Sequence, residues 1–166
     1  ELEARRKSLG YLELEKNRLS SILENKPFLT TGKRLNREFT KIQKEIHQSL
    51  ISDLEKQLQI KMAELGRNEE ETRASEKELA YTRSILRINT DKEIRYRAVL
   101  DIISRSDYEK VQNDILANNN TIEQLTHKIE QLKFQKDQIK NEIAHIDESF
   151  KTTILKETSD KQKQVT

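Results

Sequence analysis

The sequence predicts an all-α protein: a long antiparallel coiled-coil hairpin with an additional N-terminal helix. Three observations predict it. Apolar residues recur at three- and four-residue spacing along most of the chain, a regular heptad fills its last part, and a short link joins two long patterned segments. Composition agrees, with 36% charged, 33% hydrophobic and 5% aromatic residues, three Gly, one Pro and no Trp. So few apolar residues make a thin globular core, whereas a helical seam needs only about two positions in seven.

The first helix is expected over 1–25, where Leu2, Leu9, Leu12, Leu19, Ile22 and Leu23 recur at roughly helical spacing. Lys26-Pro27 ends it, because proline disfavours helical geometry in the residue before it and lacks a backbone donor. A loop follows over 26–33, containing Gly32. The ascending hairpin helix is expected over 34–100, with a stripe of Leu35, Phe39, Ile42, Ile46, Leu50, Leu54, Leu58, Met62 and Leu65. After Leu65 the segment GRNEEETRASEKE leaves the seam weak until Leu79, Ile85, Leu86 and Ile88. Thr90 and Glu93 have capping-box spacing, which allows a break near 89–91.

A tip turn is expected over 101–105, followed by a descending helix over 106–166 opened by a Ser106/Glu109 capping box. Its heptad places Ile115, Ile122, Ile129, Lys136, Ile143 and Phe150 at one core position. Asn118, Leu125, Leu132, Ile139, Ile146 and Thr153 stand at the other. In a parallel dimer of this helix Lys128 would face Lys133, and Glu142 would face Asp147, both repulsive. An intrachain hairpin instead brings together residues whose numbers sum to about 204, a register rule that follows from a turn centred near Ile102. Lys136 then meets Glu69, Glu70 and Glu71, opposite charges at the oddest core position, and Leu132 falls near Thr72. Phe39, Ile42 and Ile46 lack cover in this register, and either the first helix or a neighbouring subunit supplies it.

Catalytic and cofactor chemistry finds no foothold. The chain has no Cys, and His47, His127 and His145 never stand at the i, i+4 spacing of a helical zinc motif. Gly10, Gly32 and Gly66 are too dispersed for a phosphate loop, and TTGKR at 30–34 lacks its upstream glycine. The expectation is therefore no enzyme, no cofactor and no metal. Net charge is +2 from 31 basic and 29 acidic residues, interleaved without a basic stripe, so no nucleic-acid partner is expected. No run of about 18 apolar residues exists to span a bilayer. The chain opens at Glu1 already in helical pattern, and we expect a single elongated helical domain of a longer protein.

The segment RYRAVLDIISRSDYEKVQNDI, residues 95–115, resembles the hairpin tip of HlyD-like membrane fusion proteins, the periplasmic adaptors of bacterial export systems. In that family an arginine-bearing ascending helix ends in a Leu-rich turn, and an Ile-Ser followed by an aromatic or leucine opens the descending helix. Here Arg95 or Arg97, Val99, Leu100, Ile103, Ser104 and Tyr108 match. The opening ELEAR, the loop at Pro27-Phe28 and FKTTIL at 150–155 are similar to further elements of the type I secretion branch, in the same order. The turn is shorter than in many relatives and has no glycine, which leaves Arg95 against Arg97 and Ser104 against Ser106 as alternatives.

The resemblance implies a periplasmic adaptor anchored in the inner membrane by segments outside this sequence. It would pair there with an ABC transporter and self-associate, usually as a hexamer. Its hairpin tip would meet a TolC-like outer-membrane channel for protein export. A drug-efflux adaptor on the same fold and a generic intracellular coiled-coil scaffold are the alternatives.

Overall fold

The computed structural model describes residues 2–30 and 37–165. The described residues form three helices: α1 (Leu2–Leu23), α2 (Arg37–Arg97) and α3 (Arg105–Val165). The expected start of the ascending helix at 34 and the end of the 26–33 loop lie outside the described residues. Two compact bodies divide the chain, one of Glu1–Met62 with Asn141–Thr166 and the other of Ala63–Lys140.

In the first body, α1 stops for a stereochemical reason. Asn25 takes the left-handed conformation (φ 51°), the Lys26 amide donates to the Ser21 carbonyl at 2.8 Å and the Asn25 amide to that of Ile22 at 3.2 Å. This pair of bonds is a Schellman cap, and Pro27 directly behind it bars continuation. The core of this body joins Leu19 and Ile22 of α1 to Ile154 of α3, with Leu23, Leu50, Ile51 and Phe150 packed around them. Leu14, absent from the expected stripe, is also buried, while Leu9 is exposed.

The contacts also give the direction of α1. Tyr11 packs on Phe39 with ring centroids 4.4 Å apart, Arg18 Nε donates to Gln43 Oε1 at 2.8 Å, and Ser21 Oγ lies 3.5 Å from His47 Nδ1. Partner numbers rise together, so α1 runs parallel to the start of α2. Against α3 they run oppositely, from Glu15 with Lys161 (2.7 Å) to Leu19 and Ile22 with Ile154. Phe28 stacks on His47 at 5.5 Å and holds the segment after α1 alongside α2. Of the three apolar residues that lacked cover, Phe39 receives it from α1, whereas Ile42 and Ile46 stay exposed.

In the second body α2 and α3 form the antiparallel hairpin. The α3 heptad supplies the apolar side: Val111, Leu125, Ile129, Leu132 and Ile139 are buried. The α2 side is largely polar, with buried Asn68, Ser75 and Thr82 at seven-residue intervals. Thr72 and Thr82 return their hydroxyl protons to the carbonyls of Asn68 and Glu78, which satisfies them locally. Asn68 Nδ2 crosses the seam to the Leu132 carbonyl at 3.1 Å. The segment that looked weak is thus a seam of small polar residues beneath the apolar arm of α3.

Lys136 meets Glu69 as expected, but Leu132 lies beside Asn68 rather than Thr72, one helical turn from the expected register. Lys136 Nζ pairs with Glu69 at 2.8 Å, and Lys128 Nζ with Glu71 at 2.9 Å. The Glu69 carboxyl is held below its ordinary pKa by the Lys136 hydrogen bond and charge. Several details differ from the sequence reading. No break occurs near 89–91: the Thr90 hydroxyl bonds back to the Leu86 carbonyl and α2 continues. The start of α3 comes earlier than the Ser106/Glu109 box, because the Ser104 carbonyl accepts the Asp107 and Tyr108 amides. Glu109 is instead bound by Arg105 Nε at 2.9 Å. Met62 and Ile88, placed on the buried stripe, are exposed.

Candidate partner-binding tip

The turn between α2 and α3 begins as a loosening helix. Ala98 still donates to the Ile94 carbonyl at 3.3 Å, Val99 switches to that of Tyr96 at 3.1 Å, and the Val99 carbonyl collects the amides of Ile102 (3.0 Å) and Ile103 (3.2 Å). Residues without a position on the seam therefore project outward. Ile102 is 86% exposed, the most open of the large apolar side chains among the described residues, and Leu100 and Val99 are 48% and 42% exposed. Ile94 on the last turns of α2 is also exposed. Ile103 is half-buried and Ser104 exposed.

Beneath this apex lies a polar cluster that links the two arms. Glu93 is 6% exposed, and its Oε1 receives Tyr108 Oη at 2.6 Å, Arg97 Nη2 at 2.7 Å and Arg97 Nε at 3.1 Å. These donors stabilise the ionised form: the Tyr108 hydroxyl and then the Arg97 guanidinium hold the Glu93 carboxyl below the usual carboxylate range. The Arg97 guanidinium is raised reciprocally, by Glu93 first. Arg95, two residues before Arg97, is exposed and has no hydrogen-bond or ion-pair partner among the described residues.

The site residues read from the sequence thus separate into two groups. Val99, Leu100, Ile103 and Ser104 belong to the turn and Arg95 is exposed on the last turn of α2 before it, whereas Arg97 and Tyr108 are joined to Glu93. Two participants were absent from the sequence reading. The sequence pairs Glu93 with Thr90 at capping-box spacing, although its i, i+4 spacing to Arg97 is also a visible signal. Ile102 enters the sequence reading only as the centre of the turn.

Elsewhere the chemistry is sparse. His127 lies between Glu130 (3.7 Å) and Glu123 (4.0 Å) on an exposed helix face. Among the described residues no group of three or more His, Cys, Asp and Glu could hold a metal ion, and no helix is long and apolar enough to cross a membrane. No protein-family model matches the chain, and no curated protein matches it.

Proposed function

We propose that this chain is the helical hairpin of a periplasmic adaptor in a type I secretion machine, and that its tip docks on a TolC-like outer-membrane channel during protein export. One observation carries the reading: the turn exposes Val99, Leu100 and Ile102 together, at the point where the chain resembles the tip of HlyD-like adaptors. A turn that only reversed the chain gains nothing by presenting three large apolar side chains to water, and clustered exposed apolar residues mark interaction surfaces. In this reading an ABC transporter and the inner-membrane anchor belong to other parts of the assembly, and further copies of the chain surround the export path.

The test replaces the apex without touching the seam. Leu100→Glu with Ser104→Glu introduces two carboxylates at exposed positions, so helicity should be unchanged while binding to a purified TolC-like channel and export of the cognate substrate are lost. Undiminished binding and export in the double variant would refute the proposal.

A further inference from the structure

The two arginines before the turn have unequal surroundings, and so do the two faces of the tip. Glu93 follows Leu58, Leu65, Thr72, Leu79 and Leu86 at seven-residue steps on α2 and is the first charged residue in that run. A carboxylate buried there is costly unless fully hydrogen-bonded. Three donor groups converge on its Oε1, two from Arg97 on the next turn of its own helix and one from Tyr108 on the opposite arm. An ordinary surface i, i+4 ion pair has neither the burial nor the contact across the arms. Arg105 with Glu109, just after the turn, is such a pair, with side chains 92% and 55% exposed.

We infer that Glu93 is a positioning residue that fastens the base of the turn by holding Arg97 and Tyr108, and that this withdraws both from the partner and leaves Arg95 as the arginine that meets it. The assignment of Arg95 rests on the docking role proposed above; the fastening does not. Arg97 spends two of its guanidinium N–H groups on Glu93, and Tyr108 spends its only hydroxyl proton there. A partner carboxylate or carbonyl that recruited either would leave Glu93 buried with fewer donors. Arg95 carries no such obligation, and it lies on the same arm as the exposed Ile94.

Two measurements on the intact chain test this, with helicity checked by circular dichroism. Amide hydrogen exchange of residues 98–104 reads the fastening directly. Glu93→Ala should accelerate it roughly ten-fold or more, the size commanded by charge-assisted hydrogen bonds. Glu93→Gln, which keeps an acceptor oxygen, should accelerate it less, and Tyr108→Phe should act without any loss of helix. Adding Tyr108→Phe to Glu93→Ala should change little, since both remove one interaction. Unaltered exchange in Glu93→Ala and Tyr108→Phe, or effects that simply add, would overturn the fastening.

Binding to an immobilised, purified TolC-like channel reads the division of labour. Arg95→Ala should weaken binding with tip exchange unchanged, whereas Arg97→Ala should alter binding and exchange together. Arg97→Ala weakening binding at unchanged exchange would overturn the assignment, as would unchanged binding in Arg95→Ala. If the wild-type chain fails to bind the channel, the proposed docking role fails and the assignment of Arg95 fails with it, and the exchange measurements alone decide whether Glu93 fastens the turn.

Discussion

Replacing Ile154 by alanine measures how much of the first body depends on the contact among its three helices. Ile154 is 2% exposed and meets Leu19 and Ile22 of α1, which are themselves 0% and 7% exposed. The substitution removes three carbons; at about 0.8 kcal/mol for each buried CH₂ the lost transfer energy is about 2.4 kcal/mol. The neighbours are held by three different helices and collapse only partly into the space, so a cavity contribution adds to this. The total expected is about 3–4 kcal/mol, within the range of roughly 2–5 kcal/mol typical of such truncations. Domains of this size are stable by only about 5–15 kcal/mol, so the loss is a large fraction.

Urea unfolding followed at 222 nm provides the assay, with a midpoint fall of about 1.5–2 M for a slope near 2 kcal/mol/M. The control is the next residue. Leu155→Ala removes the same number of carbons from a side chain that is 56% exposed, and should cost less than about 0.5 kcal/mol. Hydrogen exchange in α1 should accelerate in the first variant and not in the second. If both variants cost the same, or if α1 exchange is insensitive to Ile154, the three-helix core is wrong.

The hairpin register predicts that Lys136→Glu lowers the urea midpoint by less than Ile154→Ala, because both partners are partly solvated, and that adding Glu69→Lys restores it. No recovery in the double variant would place Lys136 elsewhere. Asn68 bonds the Leu132 carbonyl but leaves its own Oδ1 buried without a partner. Asn68→Leu should therefore stabilise the chain by about 1 kcal/mol, while the distance between spin labels at positions 80 and 124 broadens as the register loosens. His47 is held below its ordinary pKa of 6.5, first by burial and then by the Arg18 charge, with the Arg18 carbonyl opposing. A base with a depressed folded pKa binds fewer protons folded than unfolded, so stability should fall as pH drops below about 6.5 and level off below the folded pKa. His47→Gln should remove that slope from melting temperatures recorded between pH 7.5 and 5; a slope that survives would locate the titration elsewhere.

The descending arm was legible because nine of its twelve heptad positions are apolar, so burial and periodicity carried the same message. The ascending arm beyond Leu65 was legible only through its charges, which placed Lys136 beside Glu69. Its seam is set by Asn68, Ser75 and Thr82, and a search for apolar periodicity passes over small polar residues, including Thr82, which buries its hydroxyl by bonding it within the same helix. Leu14 escaped because α1 packs against two helices at once, and that requires a wider face than one stripe. The direction of α1 was illegible for a different reason: a loop with proline and glycine says that the chain turns, not where it goes next. At the tip, the exposed Leu100 and Val99 could be read from the resemblance and the Glu93–Arg97 spacing from the sequence, whereas the link from Glu93 to Tyr108 of the other arm could not.

The fastening under the turn also bears on how the hairpin forms. Glu93 and Tyr108 are 15 residues apart in the chain, whereas Asn68 and the Leu132 carbonyl are 64 apart. Closing the longer loop first costs about 1.2 kcal/mol more, two doublings at about 0.6 kcal/mol each. Once the near pair has met, every later pair down the arms closes only a small additional loop. The cheapest route starts at the tip and runs toward the open ends, like a zip whose slider begins at Glu93. Weakening that contact should therefore slow refolding more than it speeds unfolding, whereas weakening the Asn68 contact should do the reverse.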